Sequence, residues 1–196
     1  MGLELLPQSI RDRYEVHEWK HACAIMHSDF PDEWQDLIDL LNGFSLCKSW
    51  LTVGGGRKSQ ISESIDTFLH SRGWVETGFD TAIRVDDTVL ETPTHKVDCF
   101  KNAIAIEVEW NNKDPFYDRD LNNFRLLFDL RAISVGVIIT RSDELQQIFN
   151  DPGRGSSYGA STTHMSKLLP RINGGGGGGC PLLVFGITDK TYNEDC

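Results

Sequence analysis

At 196 residues and 39% hydrophobic content, the chain suits one domain with a full core and is too apolar for disorder. No apolar run approaches the roughly 20 residues that span a membrane, and MGLELLPQSI lacks a signal peptide's basic head and long apolar core, so a cytoplasmic protein is expected. A net charge of −10 weighs against a nucleic-acid partner. Its distribution weakens that exclusion: Pro152–Thr188 holds Arg154, Lys167 and Arg171 and no Asp or Glu. That window is either a surface receptive to phosphate or merely a glycine loop followed by a buried strand. Five scattered cysteines without a CxxC spacing fit reduced thiols and give no zinc signature.

Along the chain, residues 1–58 read as mainly helical, with Trp34, Leu37, Ile38 and Leu41 at helical spacing in Pro31–Leu41. GGGRK at 54–58 is a glycine-rich break without the GK[ST] ending of a P-loop, so an NTPase is excluded. Ser59–Ser71 carries a second apolar stripe (Ile61, Ile65, Phe68, Leu69) closed by Gly73. Trp74–Leu90 alternates weakly, like a strand or hairpin at a sheet margin. Strands follow at His95–Asp98 and Ala103–Trp110, with a short turn at Cys99–Asn102 between them. Asp114-Pro115 is a helix start, with Asp as N-cap and Pro in the first turn. Leu121, Phe124, Leu127 and Phe128 give that helix its buried stripe, ending near Arg131. VGVIIT at 135–140 suits a buried central strand, and Ser142-Asp-Glu-Leu starts a further short helix. A polar loop, a helix around His164–Leu169, six glycines at 174–179 and a last strand at Leu182–Ile187 complete the order. The sum is a single α/β domain, 1–196, whose central mixed sheet is flanked by helices on both faces.

The stretch IAIEVEW, Ile104–Trp110, carries the chemistry. Ile104, Ile106, Val108 and Trp110 share one strand face, whereas Ala103, Ala105, Glu107 and Glu109 share the other. Two glutamates on one face repel and are costly to bury. They are tolerable on the wet face of an edge strand, or neutralised by a divalent cation. Asp98, nine residues before Glu107 across the turn, would bring a third carboxylate beside them. An all-oxygen set suits Mg²⁺, which polarises a phosphoryl oxygen and acidifies bound water. A carboxylate not needed as a ligand can orient or deprotonate that water.

Asp98-x8-Glu107-x-Glu109 on a hairpin resembles the core of the PD-(D/E)xK nuclease superfamily, with Glu in the usual Lys position, a variation that occurs within it. VDCFKNAIAIEVEW, the segment DRDLNNFRLLFDLRAISVGV, the loop SSYGASTT and the strand CPLLVFGI resemble the BglII/BstYI group of type II restriction endonucleases. The resemblance runs from about Ser59 to the C-terminus. It implies a restriction-endonuclease-like core and a homodimer that cuts a short palindromic duplex. Cutting would use Mg²⁺, one or two ions per active site, at a target centred on GATC, and leave four-base 5′ overhangs. A cognate methyltransferase would share the target without a stable complex. Asp98 and Glu107 then become metal ligands, and Glu109 the general base or water-positioning group. Losing the motif lysine removes a positive charge that a second ion could supply.

For DNA contact, Arg119, Asn122 and Arg125 form the polar face of the helix after the motif, equally readable as an exposed or dimer-contact face. In the loop 154–163, Arg154, Ser156, Ser157 and Tyr158 are the candidate base readers, and a mobile surface loop is the alternative. Lys167 and Arg171 are candidate phosphate ligands. Lys113 and Glu63 fit exposed structural roles better than phosphate or metal contacts, and His164, without a second histidine at ligand spacing, reads as structural. The glycine run could approach a minor groove or act as a spacer. Two competing functions remain: a non-catalytic DNA-binding module of the same fold, and a carboxylate-pair glycoside hydrolase.

Overall fold

The computed structural model describes residues 2–52, 59–150, 153 and 155–196. In chain order these form α1 (Gln8–Arg13), β1 (Tyr14–Trp19), α2 (Ala22–Asp29), α3 (Pro31–Gly43), β2 (Leu46–Cys47), α4 (Lys48–Thr52) and α5 (Gln60–Ser71). Then come β3 (Val75–Thr77), β4 (Asp80–Val85), β5 (Thr88–Pro93), β6 (Val97–Lys101) and β7 (Ile104–Val108). The C-terminal half contributes α6 (Pro115–Asp129), β8 (Val135–Arg141), α7 (Gln146–Asn150), α8 (Met165–Asn173), β9 (Leu182–Ile187) and β10 (Tyr192–Asn193). No helix among the described residues is long and apolar enough to cross a membrane.

Six strands form the central mixed sheet in the order β1-β9-β8-β7-β6-β3. β7, β8 and β9 are parallel, and β1, β6 and β3 are antiparallel to their neighbours. Alternation along the three central strands divides the core into two layers. Ile104, Ile106, Val137, Ile139 and Phe185 face the N-terminal helices and α5. Ala105, Ile138 and Val184 face α6 and α8, where Leu121, Phe124 and Leu168 are buried. At Gly136 the α6 helix comes so close that an added Cβ would lie 2.5 Å from Phe124 Cδ2. Gly136→Ala is therefore expected to lower stability by about 1–3 kcal/mol through overpacking. An unchanged urea midpoint would show that Phe124 can move aside.

Several elements differ from what the sequence leads one to expect. Residues 14–19 are a strand inside the segment read as helical, and its register (Tyr14↔Ile187 to Trp19↔Leu182) makes it the sheet's edge beyond β9. β6 runs on to Lys101, and the reversal lies at Asn102-Ala103, both at positive φ (45° and 67°). Asp114 makes no side-chain cap; its carboxylate faces Arg171 and Lys167 instead. The reduced-thiol expectation fails for Cys47 and Cys196. Parallel pairing of β10 with β2 brings these residues together across 149 positions of sequence, and they form a disulfide. Cys23, Cys99 and Cys180 are free and buried.

The β4–β5 hairpin stands outside the central sheet with Ile83, Val85, Val89 and Leu90 exposed. The glycine run is packed in part against the domain rather than free as a spacer. Gly176–Gly179 lie along α6, where Gly178, at φ +55°, lies against the aliphatic stem of Arg125 and a Cβ would meet its Cγ at 2.5 Å. Lys20 Nζ donates to the Gly178 carbonyl.

Candidate active site

The site is built where β6 parts from β7. Their ladder covers Lys101↔Ile104, Phe100↔Ala105 and Cys99↔Ile106 and goes no further. Beyond it, side chains replace backbone acceptors in a reciprocal exchange. Asp98 N–H donates to Glu107 Oε2 (3.4 Å), and Val108 N–H donates to Asp98 Oδ2 (3.0 Å). On its other side β7 stays paired with β8 through Val108↔Ile139, and Glu109 N–H donates to the Ile139 carbonyl (2.9 Å). One flank of β7 is thus held while the other opens, which gives carboxylates room at the sheet's end.

Glu107 and Glu109 are 1% and 2% exposed, so neither occupies a wet strand face. Glu107 Oε1 lies 3.1 Å from His95 Nε2, and the same nitrogen lies 3.3 Å from Asp120 Oδ1. Glu109 accepts from Asn112 Nδ2 (2.8 Å) and from Arg119 Nη2 (3.3 Å). Arg119 also donates from Nε and Nη2 to Asp120 Oδ1 (3.0 and 2.9 Å), its guanidinium resting over the Phe116 ring. The corner beside Glu109 is therefore served by a cation from α6.

Burial, then the fields of Asp120 and Asp98, hold Glu107 well above the usual carboxyl range, against the opposing pull of His95. Burial and the Asp120 carboxyl raise Glu109 in the same way. Asp98 is raised chiefly by burial, partly offset by the Val108 N–H, with Asp66 and Asp120 adding to the rise. Burial disfavours the charged form of His95, but hydrogen bonds to Asp120 and Glu107 prevail and raise it to about 9. Enclosed, mutually repelling carboxylates of this kind suit a dication, whose charge neutralises them. The oxygen-rich donor set fits a divalent cation, which Asp98 and Glu107 could hold.

Other members of the site come from distant segments. His95 precedes β6, and Asp120 is an acid on the buried side of α6. Asp66 is 4% exposed and is the α5 carboxylate turned toward Asp98, whereas Glu63 points to solvent. Beside the site, a cleft of about 520 Å³ is lined by His95, Arg119, Asn122, Asn123 and Arg125, among others. Asn122 and Arg125 are exposed there.

Ser156 and Ser157 are exposed on a 3-10 turn, Gly155–Tyr158. Tyr158 is turned inward and stacks on Phe149 at 4.0 Å. The loop is pinned from below by buried Arg141, whose Nη2 donates to the Tyr158 carbonyl (2.8 Å) and to Thr162 Oγ1 (3.0 Å). Arg171 donates to Asp118 (2.9 Å) and Asp114 (3.4 Å), and Lys167 lies 3.8 Å from Asp114, so both cations tie α8 to α6. His164 is buried, 3.6 Å from Asp143, and Lys113 is exposed. Arg154 and the GGGRK segment lie outside the described residues.

A mixed sheet between helical layers, with an acidic site where a hairpin splays at its end, defines a restriction-endonuclease-like fold. The family model for restriction endonuclease BglII/BglIII matches residues 14–187, and the chain belongs to that family. The match runs from the first residue of β1 to the last of β9, so it takes in the whole central sheet. No curated protein matches the chain. Membership implies a site-specific nuclease acting on double-stranded DNA, in a family whose chemistry generally uses a divalent metal.

Proposed function

We propose that the chain is a type II restriction endonuclease that hydrolyses phosphodiester bonds in a short palindromic duplex site, centred on GATC, leaving 5′ overhangs. The observation that carries this reading is the reciprocal exchange at the β6–β7 fork, which presents Asp98 and Glu107 side by side. These two residues would hold Mg²⁺, one or two ions per site. The metal, when bound, supplies charge that stabilises the phosphoryl oxygens and acidifies a water. Glu109, poised between Asn112 and Arg119, orients the attacking water and accepts its proton. Arg119 restores a positive charge at the corner where the lysine is missing. Water oxygen bonds to phosphorus as the P–O bond to the leaving strand end breaks, and the leaving oxygen takes a proton from solvent to end as a hydroxyl.

Arg119, Asn122 and Arg125 face the DNA from the cleft beside the site, and Ser156, Ser157 and Arg154 read bases from the loop. Lys167 and Arg171 meet phosphates by exchanging their present carboxylate partners, while Tyr158 supports the loop from beneath. The protein works in the cytoplasm as a homodimer of single nuclease domains, opposite a methyltransferase that shares the target without a stable complex.

Purified protein incubated with unmethylated bacteriophage DNA is expected to give discrete fragments with Mg²⁺ and none with EDTA. Sequencing the ends then reads the target and the overhang. Binding without cutting would favour a non-catalytic module, and neither binding nor cutting would sink the reading.

A further inference from the structure

The acid cluster has a second half that the proposed Mg²⁺ pair leaves unused. His95, Glu107 and Asp120 each offer a ligand atom, and these atoms lie within 4.8 Å of one another. Bonds of about 2.0–2.2 Å to a common cation would hold such atoms at most about 4.4 Å apart, so closure needs a shift of only a few tenths of an ångström. Glu107 and Asp120 are 1% and 0% exposed.

A second feature points to a ligand. Asp120 Oδ1 is fully engaged by Arg119 and His95, but Oδ2 is enclosed with no N–H donor among the described residues. Its close neighbour Glu109 is another carboxyl and offers it no N–H, which leaves the enclosed oxygen open to a cation. One turn along α6, Asn123 is 5% exposed, and its Oδ1 likewise meets no donor. Its Nδ2 donates to the His95 carbonyl (3.3 Å), fixing the backbone that carries the imidazole, as outer partners of metal-binding histidines do.

We propose that His95, Glu107 and Asp120 form a second divalent-cation site, which shares Glu107 with the Asp98 side and selects Mn²⁺ or Co²⁺ over Mg²⁺. The selection follows from the donors. Mg²⁺ prefers oxygen and keeps several waters, whereas an imidazole nitrogen beside two carboxylates favours a first-row transition ion. This inference rests on the reading that Asp98 and Glu107 hold the first ion. Glu107 bridges the two positions through its separate oxygens, with Oε2 toward Asp98 and Oε1 toward His95.

The test is Mn²⁺ titration of the full chain, followed by electron paramagnetic resonance, with pulsed detection of ¹⁴N coupling. Wild type is expected to bind two Mn²⁺ per chain and to show imidazole nitrogen coupling. His95→Gln is expected to bind one, lose the coupling and weaken the second site at least tenfold, an effect of the size seen when metal ligation is disturbed. Asn123→Leu, which leaves all three ligands in place, should weaken the same site while the coupling persists at saturation. One Mn²⁺ without nitrogen coupling would overturn this site and leave the Asp98–Glu107 reading standing. One Mn²⁺ with coupling would overturn the two-site arrangement. No Mn²⁺ at all would overturn both.

Discussion

Glu107→Gln is expected to reduce DNA cleavage by ~10³-fold or more while leaving the metal-free protein at least as stable as wild type. A metal acting as Lewis acid contributes several kcal/mol to transition-state stabilisation, and each 1.36 kcal/mol is tenfold in rate. Glu107 sits where both cation positions would meet, so its loss removes a ligand from each. Gln keeps the volume at a residue 1% exposed, and its amide can still face Asp98 N–H and His95, so packing survives. The stability half of the prediction separates chemistry from folding. A buried carboxylate crowded by Asp120 and Asp98 is destabilising when ionised, and a neutral isostere removes that charge. Single-turnover cleavage of a plasmid and thermal melting in EDTA at pH 8 check the two halves. Cleavage within tenfold of wild type would remove Glu107 from the metal site. A melting temperature lowered together with activity would reduce its role to architecture.

Much of this site could be read from alternation alone. Period two places Glu107 and Glu109 on one face, and a short turn puts Asp98 opposite. Alternation could not show that β6 peels away at Asp98, because that depends on how β7 is held by β8. Asp120 carries a signal that is easy to pass over. It falls in phase with Tyr117, Leu121, Phe124 and Leu127, and an acid inside an apolar stripe is either an error of phase or a buried functional group. His95 offers no such pattern, since it precedes its strand and is joined to Asp120 only by the tertiary fold. The same holds for Asp66, which lies on the inner side of α5 while Glu63 lies on the outer.

The edge strand β1 was hidden for another reason. YEVHEW interleaves charges with apolar residues, and an edge strand admits charges that a central strand rejects. The Cys47–Cys196 pairing is a long-range contact that no spacing rule reaches. The end of the glycine run is legible only against α6, whose Arg125 stem and Phe128 ring occupy the space that side chains at Gly178 and Gly179 would need.

The melting temperature of metal-free protein is expected to fall steadily from pH 6 to pH 9, and Mg²⁺ should recover more of it at pH 9 than at pH 6. Glu107, Glu109 and Asp98 are all held above the ordinary carboxyl range, chiefly by burial. Above roughly pH 4.3, where an unfolded glutamate ionises, the folded chain therefore binds more protons than the unfolded one. Stability then declines as pH rises, until the folded groups have ionised. His95, raised to about 9 by Asp120 and Glu107 against the effect of burial, adds to the slope in the same direction between about pH 6.5 and 9. These four groups thus push the same way. A dication reverses the effect because it binds the deprotonated ligands, so its affinity rises with pH as protons are released. At a metal concentration a hundred times the dissociation constant, the gain would be about 2.7 kcal/mol. The measurement is a melting series at four pH values in EDTA and in Mg²⁺. A flat or rising EDTA series would mean that the carboxylates are already ionised without metal. The fork would then lack the charge frustration that makes a cation necessary there.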